Sequence, residues 1–121
     1  MKILWITNII FPYPAQQLKL NPTPYGGWMI SLADELIKRE EIKLGIAVEY
    51  SQKYLQLLST NDIAYFLIPK KLLSKRKNKV NWRLVCERFN PDLIHIHGSE
   101  FSFGLNCMLA NRDRKYIISV Q

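Results

Sequence analysis

A doubly wound, Rossmann-like α/β fold with a parallel sheet of about five strands is predicted by three features of the 121-residue sequence. Short apolar runs recur along the chain, segments of helical period separate them, and glycine and proline punctuate the joins. Such runs fit strands buried on both faces of a parallel sheet, and their alternation with helices implies βαβ crossovers. The length suits a single core, so one domain is expected over residues 1–121.

The elements follow in order. Residues 2–7, KILWIT, are continuously apolar after Lys2 and form the first strand. Between Ile9 and Tyr25 there is no period, and Pro12, Pro14, Pro22 and Pro24 fix φ and remove amide donors, so a long irregular loop is expected. From Gly27 to about Arg39, Met29, Ile30, Leu32, Ala33, Leu36 and Ile37 share one helical face, opposite Asp34, Glu35 and Lys38. Residues 43–48 and 63–68 are the second and third strands, with a short helix expected at 52–58. Residues 71–89 begin as a basic loop and continue as a helix that stops ahead of Pro91. Residues 92–97 form the fourth strand, 101–110 a helix and 116–120 the fifth strand. No crossover follows that strand, so the sheet is expected to be incomplete at its C-terminus.

Composition excludes several classes. No apolar run approaches the roughly 18 residues of a membrane span, and the N-terminus lacks the pattern of a secretory signal. A cytoplasmic protein is expected. Cys86 and Cys107 both fall in helical patterns, which favours buried free thiols over a disulfide framework. The formal charge of +7 is local. Lys70, Lys71, Lys75, Arg76, Lys77 and Lys79 lie together without an acid, leaving eleven bases against ten acids elsewhere. Such a run is a solvated loop or a contact for an anionic membrane. Nucleic acid is disfavoured, because aromatics for base stacking are not interleaved.

The chemistry-bearing residues converge on one crevice. In this architecture ligands bind beyond the carboxyl ends of the strands, where the strand order reverses. Gly26 and Gly27 stand at a helix mouth, where backbone can approach a ligand closely and unpaired amides favour an anion; a simple turn is the other reading. No GxGxxG follows the first strand and no GxxxxGK(S/T) occurs, which argues against a dinucleotide cofactor and a P-loop. His95 and His97 share one face of the fourth strand. With no third ligand at suitable spacing, a metal is not expected. His95 reads as a core residue, whereas His97, followed by Gly98, Ser99 and Glu100, can enter the crevice. Glu100 is a candidate base or acceptor-hydroxyl partner, or simply a favourable charge at a helix start.

Taken in order, KILWIT, the proline-bearing loop, Pro24-Tyr25-Gly26-Gly27 with its helix, NPDLIHIHGSEFS and KYIISVQ resemble the N-terminal domain of family-4 retaining glycosyltransferases of the GT-B fold. The resemblance spans nearly the whole chain. It implies an acceptor-side domain facing a donor-binding domain across a cleft, with sugar transferred from a nucleotide-sugar co-substrate, generally without a bound metal. Gly26 and Gly27 would then reach the donor diphosphate and the acceptor, and His97, Ser99 and Glu100 would line the acceptor side. Gln121 stands where many members have a histidine near the reacting centre, and glutamine carries no charge and shuttles no proton. The acceptor would be a saccharide or lipid-linked group in polysaccharide or glycolipid synthesis, with peripheral contact at the inner membrane face through the basic run. The fragment alone would be inactive. The alternative is a noncatalytic flavodoxin-like binding or regulatory domain; a receiver-type version lacks its carboxylate cluster, since the first and third strands end in Thr7-Asn8 and Ile68-Pro69.

Overall fold

A computed structural model describes residues 1–21, 27–50, 54–60, 62–70, 75–98 and 102–119, with backbone alone for 75–77 and 102. Along the chain the elements are β1 (Lys2–Thr7), α1 (Pro12–Gln17), α2 (Gly27–Ile37), β2 (Lys43–Tyr50), β3 (Gln56–Ser59), β4 (Ile63–Pro69), α3 (Lys75–Phe89), β5 (Leu93–His97), α4 (Ser102–Ala110) and β6 (Tyr116–Ser119). The α/β class is as expected, but the sheet is mixed and has six strands in the order β3-β4-β2-β1-β5-β6. Five strands run parallel, and β3 pairs antiparallel with β4, Leu57 opposite Phe66.

Each face of the sheet has its own helical cover. Leu4, Ile6, Ala47, Phe66, Ile94 and Ile96 pack against Trp82, Val85 and Cys86 of α3 and Phe103 and Cys107 of α4. On the other face, Ile3, Trp5, Leu44, Ile46 and Tyr65 pack against Phe11 and against Met29 and Ala33 of α2. The chain thus moves from β1 to β2 under α2, then back from β4 to β5 and on to β6 under α3 and α4. All three crossovers therefore share one hand, as twisted strands require. Period-two alternation makes this possible: successive residues of β1, β2 and β5 serve opposite cores. Cys86 and Cys107 are buried and free.

Three expectations need correction. The 9–25 segment is not wholly irregular, because α1 occupies part of it. Pro12 lies at the first helical position, where its missing N–H costs nothing, so these prolines start a turn rather than prevent one. Ala15 and Leu18 N–H donate to the carbonyls of Phe11 and Pro14, and Lys19 closes the turn at φ 57°. The short helix expected at 52–58 is absent among the described residues. Gln56–Ser59 extend instead, since pairing with β4 satisfies their backbone and outweighs local propensity. The basic residues from Lys75 onward belong to α3, not to a loop, consistent with the good helix propensity of Lys and Arg.

Candidate functional site

The strand order reverses between β1 and β5, so the carboxyl ends of these strands flank the crevice of the fold. On β1, Thr7 is buried and settled, its Oγ1 donating to the Ile9 carbonyl at 2.9 Å. On β5, Ile94 and Ile96 face the α3/α4 core, which turns His95 and His97 toward Trp5. The two imidazoles stack with centroids 4.0 Å apart. His95 is tied to its neighbour strand, Nε2 lying 2.6 Å from Ser119 Oγ.

His97 differs. It is 2% exposed, and neither ring nitrogen has a hydrogen-bond partner among the described residues. Its surroundings are aromatic: Trp5 at 4.5 Å and Trp28 of α2 at 5.9 Å, both edge-on. Burial, reinforced by the neighbouring His95, pushes its pKa down to about 4, and burial also lowers that of His95. His97 is therefore a neutral ring with one N–H and one lone pair, neither of them paired among the described residues. An unmet buried polar group costs roughly 1–3 kcal/mol, which no described residue offsets.

Beyond His97 the chain leaves the sheet through Gly98, whose φ of 98° suits glycine and whose N–H donates to the Ser119 carbonyl. Gly27 opens α2 nearby. A Cβ at Gly45 would lie 3.0 Å from the Phe89 ring and one at Gly104 2.7 Å from Ile96, whereas at Gly27 nothing lies within 4 Å. Packing among the described residues therefore does not require glycine there. Gly27 is exposed, and its Cβ position is clear of the described residues.

Of the other residues singled out in the sequence, Gly26, Ser99, Glu100, Gln121 and Lys71 lie outside the described residues. Lys70 and Lys79 are exposed, and Lys75, Arg76 and Lys77 form the first turn of α3, described by backbone alone. The described residues contain no group of three or more metal-ligating side chains. No described helix is long and apolar enough to cross a membrane.

Sequence reasoning missed a second polar centre on the opposite face. Glu49, near the end of β2, receives Asn78 Nδ2 and Trp82 Nε1 of α3 at 3.3 and 3.4 Å, and Asn106 Nδ2 of α4 at 3.5 Å, all on Oε1. Burial raises its pKa, opposed by these three hydrogen bonds and by Lys70. A signal was present: Glu49 occupies the sheet face that Gly45 and Ala47 also occupy, where an acid is out of pattern. Trp28 was also unassigned. A groove of about 370 Å³ lies between α3 and the β3–β4 edge, lined by Leu55, Leu57, Phe66, Leu84 and Val85 with Glu87 and Arg88, on the other side of the sheet from His97.

No protein-family model matches the chain, and comparison with curated proteins and with solved structures finds no match either.

Proposed function

We propose that this chain is the N-terminal, acceptor-binding part of a retaining glycosyltransferase, which transfers a sugar from a nucleotide-sugar to a saccharide or lipid-linked acceptor. The observation that carries the reading is the pairing, at one switch point, of a helix start at the exposed Gly27, whose Cβ position is clear of the described residues, with an imidazole of His97 that has no partner among them. A diphosphate leaving group needs donors and positive electrostatic potential, and helix N-terminal amides supply both. Gly26 and Gly27 would admit that diphosphate to the backbone, while His97, Ser99 and Glu100 would meet the acceptor. Gln121 would take the place of the family's histidine, offering hydrogen bonds without charge. The donor half would come from a second domain of the same kind.

The doubly wound topology supports this reading at the level of fold, and the order of motifs from KILWIT to KYIISVQ supports it at the level of family. Lys70, Lys71, Lys75, Arg76, Lys77 and Lys79 would hold the protein at an anionic, cytoplasm-facing membrane surface, each contributing about 1 kcal/mol at low ionic strength. The test is turnover: the whole gene product is incubated with nucleotide-sugars and a lipid or saccharide acceptor, and retained-anomer product is measured. Gly27→Val should lower nucleoside diphosphate affinity and transfer by at least roughly tenfold, the factor that 1.4 kcal/mol represents. Transfer and binding that survive this change intact would defeat the assignment.

A further inference from the structure

The three tryptophans of the chain are treated very differently. Trp5 and Trp82 are among the largest fully buried side chains, whereas Trp28 is 54% exposed in the first turn of α2. Its helix is anchored, because the next residue, Met29, and Ala33 one turn on are both buried in the core. The indole is therefore held on a rigid element while presenting much of its surface to water. Its inner side faces His97, the centroids 5.9 Å apart and the planes at 61°. Among the tryptophan neighbours of that ring, Trp28 alone reaches solvent.

The chemistry of His97 restricts what can come to it. A neutral imidazole requires one acceptor for its N–H and one donor for its lone pair. A carboxylate only accepts and an ammonium only donates, so either would leave one nitrogen unpaired, and inorganic phosphate, though it can do both, offers the indole no C–H face. Hydroxyls do both, and a molecule carrying several on a ring can serve both nitrogens. The exposed indole adds a second requirement: its electron-rich face favours a flat partner with polarised C–H bonds. Both requirements are met by a neutral pyranose ring.

We propose that Trp28 is a stacking platform for the acceptor, on which a neutral sugar ring lies with hydroxyls directed to the two free nitrogens of His97. The assignment rests on the acceptor-side reading above and narrows it to an uncharged saccharide at this subsite. Because His97 is buried, the Trp28 indole must turn aside for the sugar hydroxyls to reach the ring, the seated sugar then taking over its shielding. Trp28 then sets specificity: a charged or acyclic acceptor terminus loses either the stacking or one of the hydrogen bonds.

The burial pattern provides a direct readout. With Trp5 and Trp82 buried, acrylamide-quenchable tryptophan emission belongs to Trp28, and Trp28→Phe should remove it while leaving the fold intact. The protein is titrated with the methyl glycosides of glucose, galactose and mannose, with sorbitol, and with inorganic phosphate. At least one glycoside should reduce the quenching constant about twofold or more, and sorbitol and phosphate should not. Trp28→Ala should weaken binding of that glycoside, followed by calorimetry, by roughly tenfold, and Trp28→Phe by less. His97→Phe should abolish glycoside protection without changing quenching of the free protein. Protection by phosphate would make this an anion site, protection by sorbitol would remove the role of the ring, and no protection by any glycoside would remove the saccharide; each overturns the proposal. Nucleotide-sugar turnover persisting alongside the last result would leave the transferase reading standing while this one fell.

Discussion

Glu49 and His97 occupy comparable places and have opposite fates. Both lie at the carboxyl ends of parallel strands, both are sheltered by helices, and both are ionisable groups moved toward the neutral form by burial. On the α3/α4 face, one oxygen of Glu49 receives three donors from two helices. On the α2 face, His97 is packed against aromatic rings, with no hydrogen bond to either nitrogen among the described residues. A polar group that the fold has satisfied holds elements together. One left without a partner among the described residues, as both ring nitrogens of His97 and the Oδ1 of Asn78 are, calls for a further explanation, and only at His97 is the whole side chain left so.

The comparison can be broken most forcefully at Trp82, which is fully buried and also donates to Glu49. Trp82→Ala should cost about 3–5 kcal/mol in urea denaturation. The next effect is a pH dependence. The pKa of His97 falls from 6.5 to about 4 on folding, so between these values the unfolded chain binds more protons. Its stabilising contribution is complete above pH 6.5 and is lost as pH falls through about 4, a change of about 3 kcal/mol. His97→Phe should flatten that limb, leaving the smaller contribution of His95, which has the same sign. Glu49 has the opposite sign: its raised pKa favours the folded state below the unfolded value of 4.5 and loses that advantage as pH rises through the folded value.

Glu49→Ala should destabilise by about 1–3 kcal/mol, because it strands the donors of Asn78, Trp82 and Asn106. Glu49→Gln keeps a carbonyl acceptor, so it should cost less and erase the Glu49 pH effect. The smallest effect on folding belongs to Gly27→Ala, expected within about 0.5 kcal/mol because nothing stands near the added Cβ. The same change should still weaken nucleoside diphosphate binding. By contrast, Gly104→Ala, pressed against Ile96, should cost about 1–3 kcal/mol. Thermal melts and calorimetric titrations of this pair separate a glycine that packing requires from one that only a ligand would require.

What could be read in advance was what repeats locally. The five parallel strands and the helices α2, α3 and α4 follow from apolar runs and periodicity, because each is stabilised mainly by burying a continuous stretch or stripe. The antiparallel β3 could not be read this way, since Gln56–Ser59 are extended by their pairing with β4 rather than by their own pattern. α1 was hidden because proline excludes a helix interior but not a first turn. His97 stood out by its position at a strand end, yet its lack of partners is a fact of three-dimensional enclosure. The Glu49 centre lay deeper still. Its donors are 29, 33 and 57 residues away along the chain, and only the two crossovers over one face bring them to a single oxygen.

The state of the His97 ring is the most direct test of this account. Nitrogen-15 NMR of the histidine side chains, recorded from pH 8 to about pH 4, with and without a methyl glycoside, observes both ring nitrogens. His97 should stay neutral down to about pH 4, with neither nitrogen in a strong hydrogen bond in the free protein, and both resonances should move when the sugar binds. A His97 that titrates near 6.5, or that already shows a fixed hydrogen bond and ignores the sugar, would contradict the claim that the fold keeps this residue unsatisfied for a ligand.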